Sequence, residues 1–133
     1  MTHCLIVDHS RVIRSVTRRL FEEMHFTASE AEDGIAGLRA CREKMPDLIM
    51  LDWSMSGIKG VDFVRSLRAL PDGSRPVILA CLTEVDPDEV AHGVAAGIDD
   101  YLLKPFDREI LSAKLADMGD GRFPDRFQNA ALG

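Results

Sequence analysis

The sequence predicts a doubly wound α/β domain, in which helices cover both faces of one parallel sheet. Short apolar runs alternate with helical patterns from one end of the chain to the other. The first and third of these runs are continuously apolar, which is typical of strands that are buried on both faces. The 133 residues, 46% hydrophobic and 29% charged, fit one globular domain with a substantial core.

Five segments have the composition of strands. The first strand stops at Asp8 and the third ends at Asp52, so both finish in a carboxylate. The second segment has a weaker strand pattern than the others, and we expect it at an edge of the sheet. The predicted strands cover residues 4–7, 26–31, 47–52, 76–82 and 100–103.

Helical periodicity fills the intervals between these strands. Ser10 is a candidate N-cap for the first helix, and Asp86-Pro87 and Gly97 bound the fourth. The first helix also carries four arginines, which we expect on a solvated face. The apolar positions at helical spacing, which we expect to form buried stripes, are Val12, Ile13, Val16, Leu20, Ile35, Leu38, Cys41, Met45, Val61, Val64, Leu67, Leu70, Ile110, Leu111, Leu115 and Met118.

Composition excludes several classes of protein. No apolar run approaches the roughly 20 residues that span a bilayer, so we expect a cytoplasmic protein without membrane insertion. Cys4, Cys41 and Cys81 are odd in number, widely spaced and set in apolar segments, which favours buried reduced thiols. The net charge of −6 argues against general nucleic-acid binding, because clustered Lys and Arg meet phosphate backbones.

Polar residues gather where the predicted strands end. In the common strand order 2-1-3-4-5, the flavodoxin-like arrangement, ligands bind between the first and third strands, where Asp8, His9 and Asp52 lie. Two adjacent carboxylates repel each other unless a cation lies between them, and Mg²⁺ is typically held by carboxylates together with phosphate oxygens. Lys104 adds a positive charge at the same rim. Each residue alone fits a turn or a cap, but together they predict phosphoryl transfer with Asp52 as nucleophile.

The sequence resembles the receiver domains of response regulators, particularly the single-domain chemotaxis-regulator-like type. The resemblance covers residues 3–118 and rests on LIVDHS, LIMLDWSMSGIKG and GIDDYLLKPF. It implies a two-component signalling protein rather than an enzyme, which takes part in phosphotransfer and in its own dephosphorylation. It also implies that a histidine kinase or phosphotransfer protein donates a phosphoryl group to Asp52. We expect residues 1–118 to form the receiver domain and 119–133 a C-terminal tail, with no output domain.

The resemblance further implies roles for single residues. Asp8 is implied as a metal ligand through water, and Ser54 as a ligand through its backbone carbonyl. Lys104 is implied to contact the phosphoryl group, and Tyr101 to turn inward on activation. The Lys104-Pro105 bond is expected to be cis. Output is expected through protein contacts, not DNA, on the face of the fourth helix, fifth strand and fifth helix.

Three positions depart from the family pattern. His9 replaces a second acid that ligates Mg²⁺, and imidazole suits Mn²⁺ or Zn²⁺ better, so we expect weak Mg²⁺ binding. Counted back from Lys104, the family's Ser or Thr falls on Leu82. A local shift of the strand could let Thr83 serve as the switch hydroxyl, and both assignments stay open. Ser56 replaces a usual proline, which predicts a looser loop.

These departures leave a second function open. His9 and Leu82 are also compatible with a pseudo-receiver, a binding module that acts without phosphorylation. A weaker third possibility is an arginine-lined nucleotide-binding surface on the first helix. A small phosphodonor distinguishes the receiver from the pseudo-receiver, because it should label only the receiver.

Overall fold

The centre of the fold is a five-stranded parallel sheet with the order β2-β1-β3-β4-β5. A computed structural model describes residues 2–55 and 57–121. The elements are β1 (His3–Val7), α1 (Arg11–Glu23), β2 (Thr27–Ala31), α2 (Gly34–Glu43), β3 (Leu48–Asp52), α3 (Gly60–Arg68), β4 (Val77–Leu82), α4 (Pro87–Ala96), β5 (Asp100–Leu103) and α5 (Arg108–Gly121). The predicted fold class and strand order are confirmed, with β2 at one edge.

The end of the chain differs from the prediction in one respect. Helix α5 continues through Gly121, beyond the predicted last turn at Met118. The rest of the predicted tail, residues 122–133, lies outside the described residues, and so does Ser56 with its predicted looser loop.

Apolar side chains cover both faces of the sheet. Strands β3 and β4 are buried along their whole length, and alternate side chains of each strand point to opposite faces. Phe21 of α1 and Leu115 of α5 belong to the core on one face. Leu38 of α2 and Phe63 of α3 belong to the core on the other, against which Val90 of α4 also packs. The sheet is therefore fixed from both sides, which also fixes the positions of its strand ends.

Helix α1 turns a different face to the sheet than its apolar spacing predicted. Val12, Ile13 and Val16 are 70%, 39% and 54% exposed. Thr17 and Phe21 are the buried residues of the helix. The predicted buried stripe is therefore wrong at the three exposed positions.

Hydrogen bonds from Arg14 accompany this orientation of α1. Its guanidinium donates a hydrogen bond from Nη1 to the backbone carbonyl of Asp8 at 2.8 Å and from Nε to Glu30 at 3.1 Å. Arg18 also donates to Glu30, at 3.3 Å. These bonds turn Arg14 and Arg18 toward β1 and β2. The predicted solvated face is therefore correct only for Arg11 and Arg19, which are exposed.

The stripes predicted for α2, α3 and α5 are mostly buried or half-buried. Ile35 and Ile110 are the exposed exceptions. Each stands in the first turn of its helix, where the chain has just left the carboxyl rim of the sheet. Phe63 lies outside the predicted stripes and is nevertheless fully buried.

The cysteines are buried and carry free thiols, as predicted. Burial raises the pKa of Cys41 to about 11 and the pKa of Cys81 to about 12. The thiols are therefore protonated at neutral pH and inert as nucleophiles. Within the described ranges, no helix combines the length and apolarity that a membrane span needs.

The orientation of α1 makes a testable prediction about stability. Phe21→Ala should lower the free energy of unfolding by about 3–5 kcal/mol, because it leaves a cavity in the core. Val16→Ala should change it by less than about 0.5 kcal/mol, because Val16 faces solvent. Urea denaturation measures both values. A loss from Val16→Ala as large as that from Phe21→Ala would contradict the described face of α1.

Candidate functional site

The register of the sheet brings polar residues of three strands to one rim. Asp8 and Asp52 directly follow paired residues of the adjacent strands β1 and β3. Asp52 itself pairs with Cys81 of β4. Lys104 directly follows Leu103, the last residue of β5 that pairs with β4. Because all strands run in parallel, these side chains meet beyond the same carboxyl rim.

Two buried carboxylates share one ammonium group at this rim. Asp8 and Asp52 are only 3% and 2% exposed. Lys104 Nζ lies 2.8 Å from Asp8 Oδ2 and 3.3 Å from Asp52 Oδ1. The structure thus brings together the three side chains that the sequence places here.

Lys104 supplies positive charge to the pocket. Burial lowers its pKa, but the hydrogen bond to Asp8 and the charges of Asp52 and Asp8 outweigh this effect, so the pKa is raised. The side chain is therefore protonated at neutral pH. Two carboxylates and one ammonium leave an excess negative charge, which favours a bound cation. The Lys104-Pro105 bond is cis, as expected.

Backbone groups orient both carboxylates. Asp52 Oδ1 accepts a hydrogen bond from the Ser54 N–H at 3.1 Å. Asp8 Oδ1 accepts one from the Ser10 N–H at 2.8 Å, and Ser10 also caps α1. Asp52 Oδ2 lies 3.1 Å from His9 Nδ1. The carboxylates are therefore fixed before any ligand arrives.

Asp8, His9 and Asp52 could together hold a divalent metal ion. Each offers one ligand atom, and these atoms lie within 4.8 Å of one another. The donor set is two carboxylates and one imidazole, so it suits a divalent cation but matches Mg²⁺ less well than oxygens alone would. The His9 side chain is 63% exposed, which leaves this part of the pocket open to solvent.

Little space remains beneath the carboxylates. A cavity of about 10 Å³ lies there, lined among others by Thr17, Cys81 and Phe106. This volume is close to the minimum for a single water molecule. A ligand larger than that has to reach Asp52 from the solvent side of the rim.

The predicted switch residues lie farther along the same rim. The pairing of β4 with its two neighbours is continuous, and it places buried Leu82 at the strand end. Thr83 follows the strand and is exposed. Tyr101 is half-buried against the apolar core that includes Leu82, and Lys114 Nζ lies 5.8 Å from its ring centroid. The switch position that the resemblance implies therefore stays open between Leu82 and Thr83.

Sequence analysis missed Trp53 as a site residue. Its indole Nε1–H donates a hydrogen bond to Glu89 Oε2 at 3.1 Å, and its ring lies beside Gly60 and Gly93. The available signal was an aromatic residue directly after Asp52, with a glycine a few residues later. That signal indicated a loop but not the helix that the ring would contact.

Fold and site together define a doubly wound α/β domain with an acidic pocket at its topological switch point. The response regulator receiver domain family matches residues 4–116. This chain belongs to that family.

Relatives of two kinds share this similarity. The chain is 36% identical over 114 residues to the transcriptional regulatory protein CseB of Streptomyces avermitilis, covering 86% of this chain and 47% of that protein. It is 30% identical over 112 residues to the chemotaxis protein CheY of Pseudomonas aeruginosa, covering 84% of this chain and 90% of that protein. The solved structure of chemotaxis response regulator CheY4 of Vibrio cholerae has a TM-score of 0.82 at 29% identity, covering 87% of this chain and 97% of that chain. The chain therefore spans about half the length of the first curated relatives but most of the chemotaxis proteins.

The shared ammonium group leads to a prediction about stability. Lys104→Met should lower the free energy of unfolding by about 3 kcal/mol at low salt without divalent ions, because two buried carboxylates lose their cation. Lys44→Met, at an exposed lysine, should change it by less than about 0.5 kcal/mol. Denaturant titration of both variants is the measurement. Equal effects would show that Lys104 does not neutralise the pair.

Proposed function

We propose that this chain acts in the cytoplasm as a two-component signalling switch, with Asp52 as the phosphoacceptor. The supporting observation is the buried Asp52 carboxylate, which lies 3.3 Å from Lys104 Nζ in a domain of the receiver family. The donor is the phosphohistidine of a histidine kinase or phosphotransfer protein. The chain thereby serves as a switch whose state changes, rather than as an enzyme with a separate substrate.

The transfer step needs positioning and charge neutralisation more than acid-base chemistry. An Asp52 oxygen attacks the phosphorus atom and forms an O–P bond. The P–N bond to the donor imidazole breaks, and the imidazole leaves with the electron pair. Lys104 stabilises negative charge on the phosphoryl oxygens, and Ser54 N–H helps to orient the Asp52 carboxylate.

A divalent ion would supply further charge neutralisation when bound. Asp8, Asp52 and the backbone carbonyl of Ser54 would hold it, with His9 as a fourth neighbour. Receiver domains bind Mg²⁺ through acidic residues, and His9 removes one carboxylate from this set. We therefore propose weak Mg²⁺ affinity and a relative preference for Mn²⁺, which accepts imidazole more readily.

Output is proposed to occur through protein contacts on the face of α4, β5 and α5. Each of these elements carries one exposed large apolar side chain: Val94, Leu103 and Ile110. Such side chains are suited to a protein partner, because their burial on docking is favourable. Tyr101 in β5 and Lys104 just after it would connect this face to the pocket. Thr83 stays a proposed contributor, since its exposed hydroxyl lies just past the end of β4.

The phosphoacceptor assignment can be tested by intact mass. Wild-type protein incubated with acetyl phosphate and Mg²⁺ or Mn²⁺ should gain one phosphoryl group. Asp52→Asn should gain none, because its amide is not a nucleophile for this transfer. Asp72→Asn, at an exposed loop aspartate, is the matched control and should be labelled like wild type.

Two outcomes would contradict this proposal. Labelling of Asp52→Asn at the wild-type rate would show that another residue accepts the phosphoryl group. Folded wild-type protein that takes no phosphoryl group with either metal would instead favour the pseudo-receiver.

Metal preference gives a second test. His9→Asp should tighten Mg²⁺ binding by about tenfold or more, given that even outer-shell residues change metal affinity by about that factor. It should also reduce the preference for Mn²⁺ over Mg²⁺. Isothermal titration calorimetry measures both affinities, with His92→Asp on the exposed side of α4 as the control. An unchanged Mg²⁺ affinity in His9→Asp would mean that the imidazole does not limit the site.

A further inference from the structure

We propose that Trp53 transmits the phosphorylation state of Asp52 to helix α4. This role rests on the proposed function, because it requires Asp52 to be the phosphoacceptor. It adds the indole as a second connection beside the hydroxyl that receiver domains carry at the end of the fourth strand, for which Thr83 stays the proposed contributor.

The first step concerns the side chains at the end of β4. Leu82 is buried in the apolar core and has no group that could hydrogen-bond to a phosphoryl oxygen. Thr83 is exposed beyond the strand and remains the proposed contributor of a switch hydroxyl. Trp53 offers a second contact through which a change at Asp52 could reach the helices on this side of the sheet.

The second step is the covalent position of Trp53. It directly follows Asp52, and its backbone N–H donates to the Cys81 carbonyl at 3.0 Å. The Ser54 N–H donates to Asp52 Oδ1 at 3.1 Å, so the Trp53 backbone lies inside a closed hydrogen-bonded turn. A phosphoryl group on Asp52 converts one carboxylate oxygen into the bridging oxygen of an acyl phosphate, which changes the acceptor that Ser54 N–H and Lys104 contact.

The third step is that the indole fills the space between two helices. A β-carbon on Gly60, at the start of α3, would lie 2.5 Å from Trp53 Cε3. One on Gly93, in α4, would lie 3.2 Å from Trp53 Cη2. The half-buried ring thus lies against both helices, so a shift of the ring would change its packing against α3 and α4.

The fourth step is a directional bond between the indole and α4. Trp53 Nε1–H donates to Glu89 Oε2 at 3.1 Å, and Glu89 lies in the first turn of α4. The ring thus contacts α4 at two successive turns, at Glu89 and at Gly93. A rotation of the ring would move or release the start of the helix.

The last step is that α4 is weakly attached to the rest of the fold. Gly93 is its one fully buried residue, and Val90 and Ala96 are partly buried. Elements with few buried apolar contacts open at low free-energy cost and respond to small changes. Helix α4 is therefore well suited to respond to a small displacement of Trp53.

Amide hydrogen exchange of residues 88–96 of α4, before and after treatment with acetyl phosphate, tests this role. In wild type, phosphorylation should change the exchange rate of these amides by about threefold or more, as expected for an element of low local stability. Trp53→Phe keeps an aromatic ring but removes the N–H donor. It should reach the same phosphoryl occupancy by intact mass and lose most of the exchange response.

Three variants that leave the indole intact sharpen the test. Glu89→Ala removes the hydrogen-bond acceptor and should lose the response, whereas Glu89→Gln keeps an acceptor oxygen and should retain it. Asp88→Ala removes a carboxylate from the same helical turn and should respond like wild type. A purely structural role of Trp53 would raise exchange equally in both phosphorylation states and leave their ratio unchanged.

The outcomes separate this proposal from the proposed function. If Trp53→Phe and Glu89→Ala are phosphorylated and keep the full wild-type ratio, the role of Trp53 is refuted while Asp52 remains the phosphoacceptor. A loss of response in Glu89→Gln equal to that in Glu89→Ala would show that charge, not the indole hydrogen bond, carries the effect. Absence of any adduct on the wild-type protein would overturn the proposed function itself, and the role of Trp53 with it.

Discussion

The candidate site depends on two carboxylates that the fold holds close together. Asp8 and Asp52 would separate if they could, because like charges in a buried rim repel each other. They cannot separate, because apolar cores hold both faces of the sheet and thereby fix the ends of β1 and β3. Lys104 offsets this repulsion only in part. The unbalanced negative charge favours a bound divalent cation at this rim.

Much of this arrangement could be predicted from sequence, for a physical reason. Strands buried on both faces must be continuously apolar, so residues 48–51 and 77–82 stand out clearly. In a parallel sheet every strand ends at the same rim as its neighbours. A polar residue directly after a strand of this sheet, as at Asp8 and Lys104, therefore lies at that rim. Fold and pocket follow from the same local pattern.

Other features could not be predicted, because they depend on contacts between distant segments. Apolar spacing on α1 favoured Val16 as a core residue, but Thr17 and Phe21 are the residues that the helix buries, and Arg14 donates to the Asp8 carbonyl. The environment of Trp53 likewise requires Gly93, which stands 40 residues away in sequence and next to it in space. Periodicity describes one element at a time and contains none of these relations.

The distribution of the buried thiols has a practical consequence for following the motions of this domain. Cys4 and Cys81 belong to the core beneath α1 and α5, whereas Cys41 belongs to the core beneath α2 and α3. A thiol-alkylating reagent can react when the packing around a thiol opens, since each thiol is buried and protonated in the closed state. The native cysteines therefore report separately on the opening of the two halves of the molecule, without any engineered label.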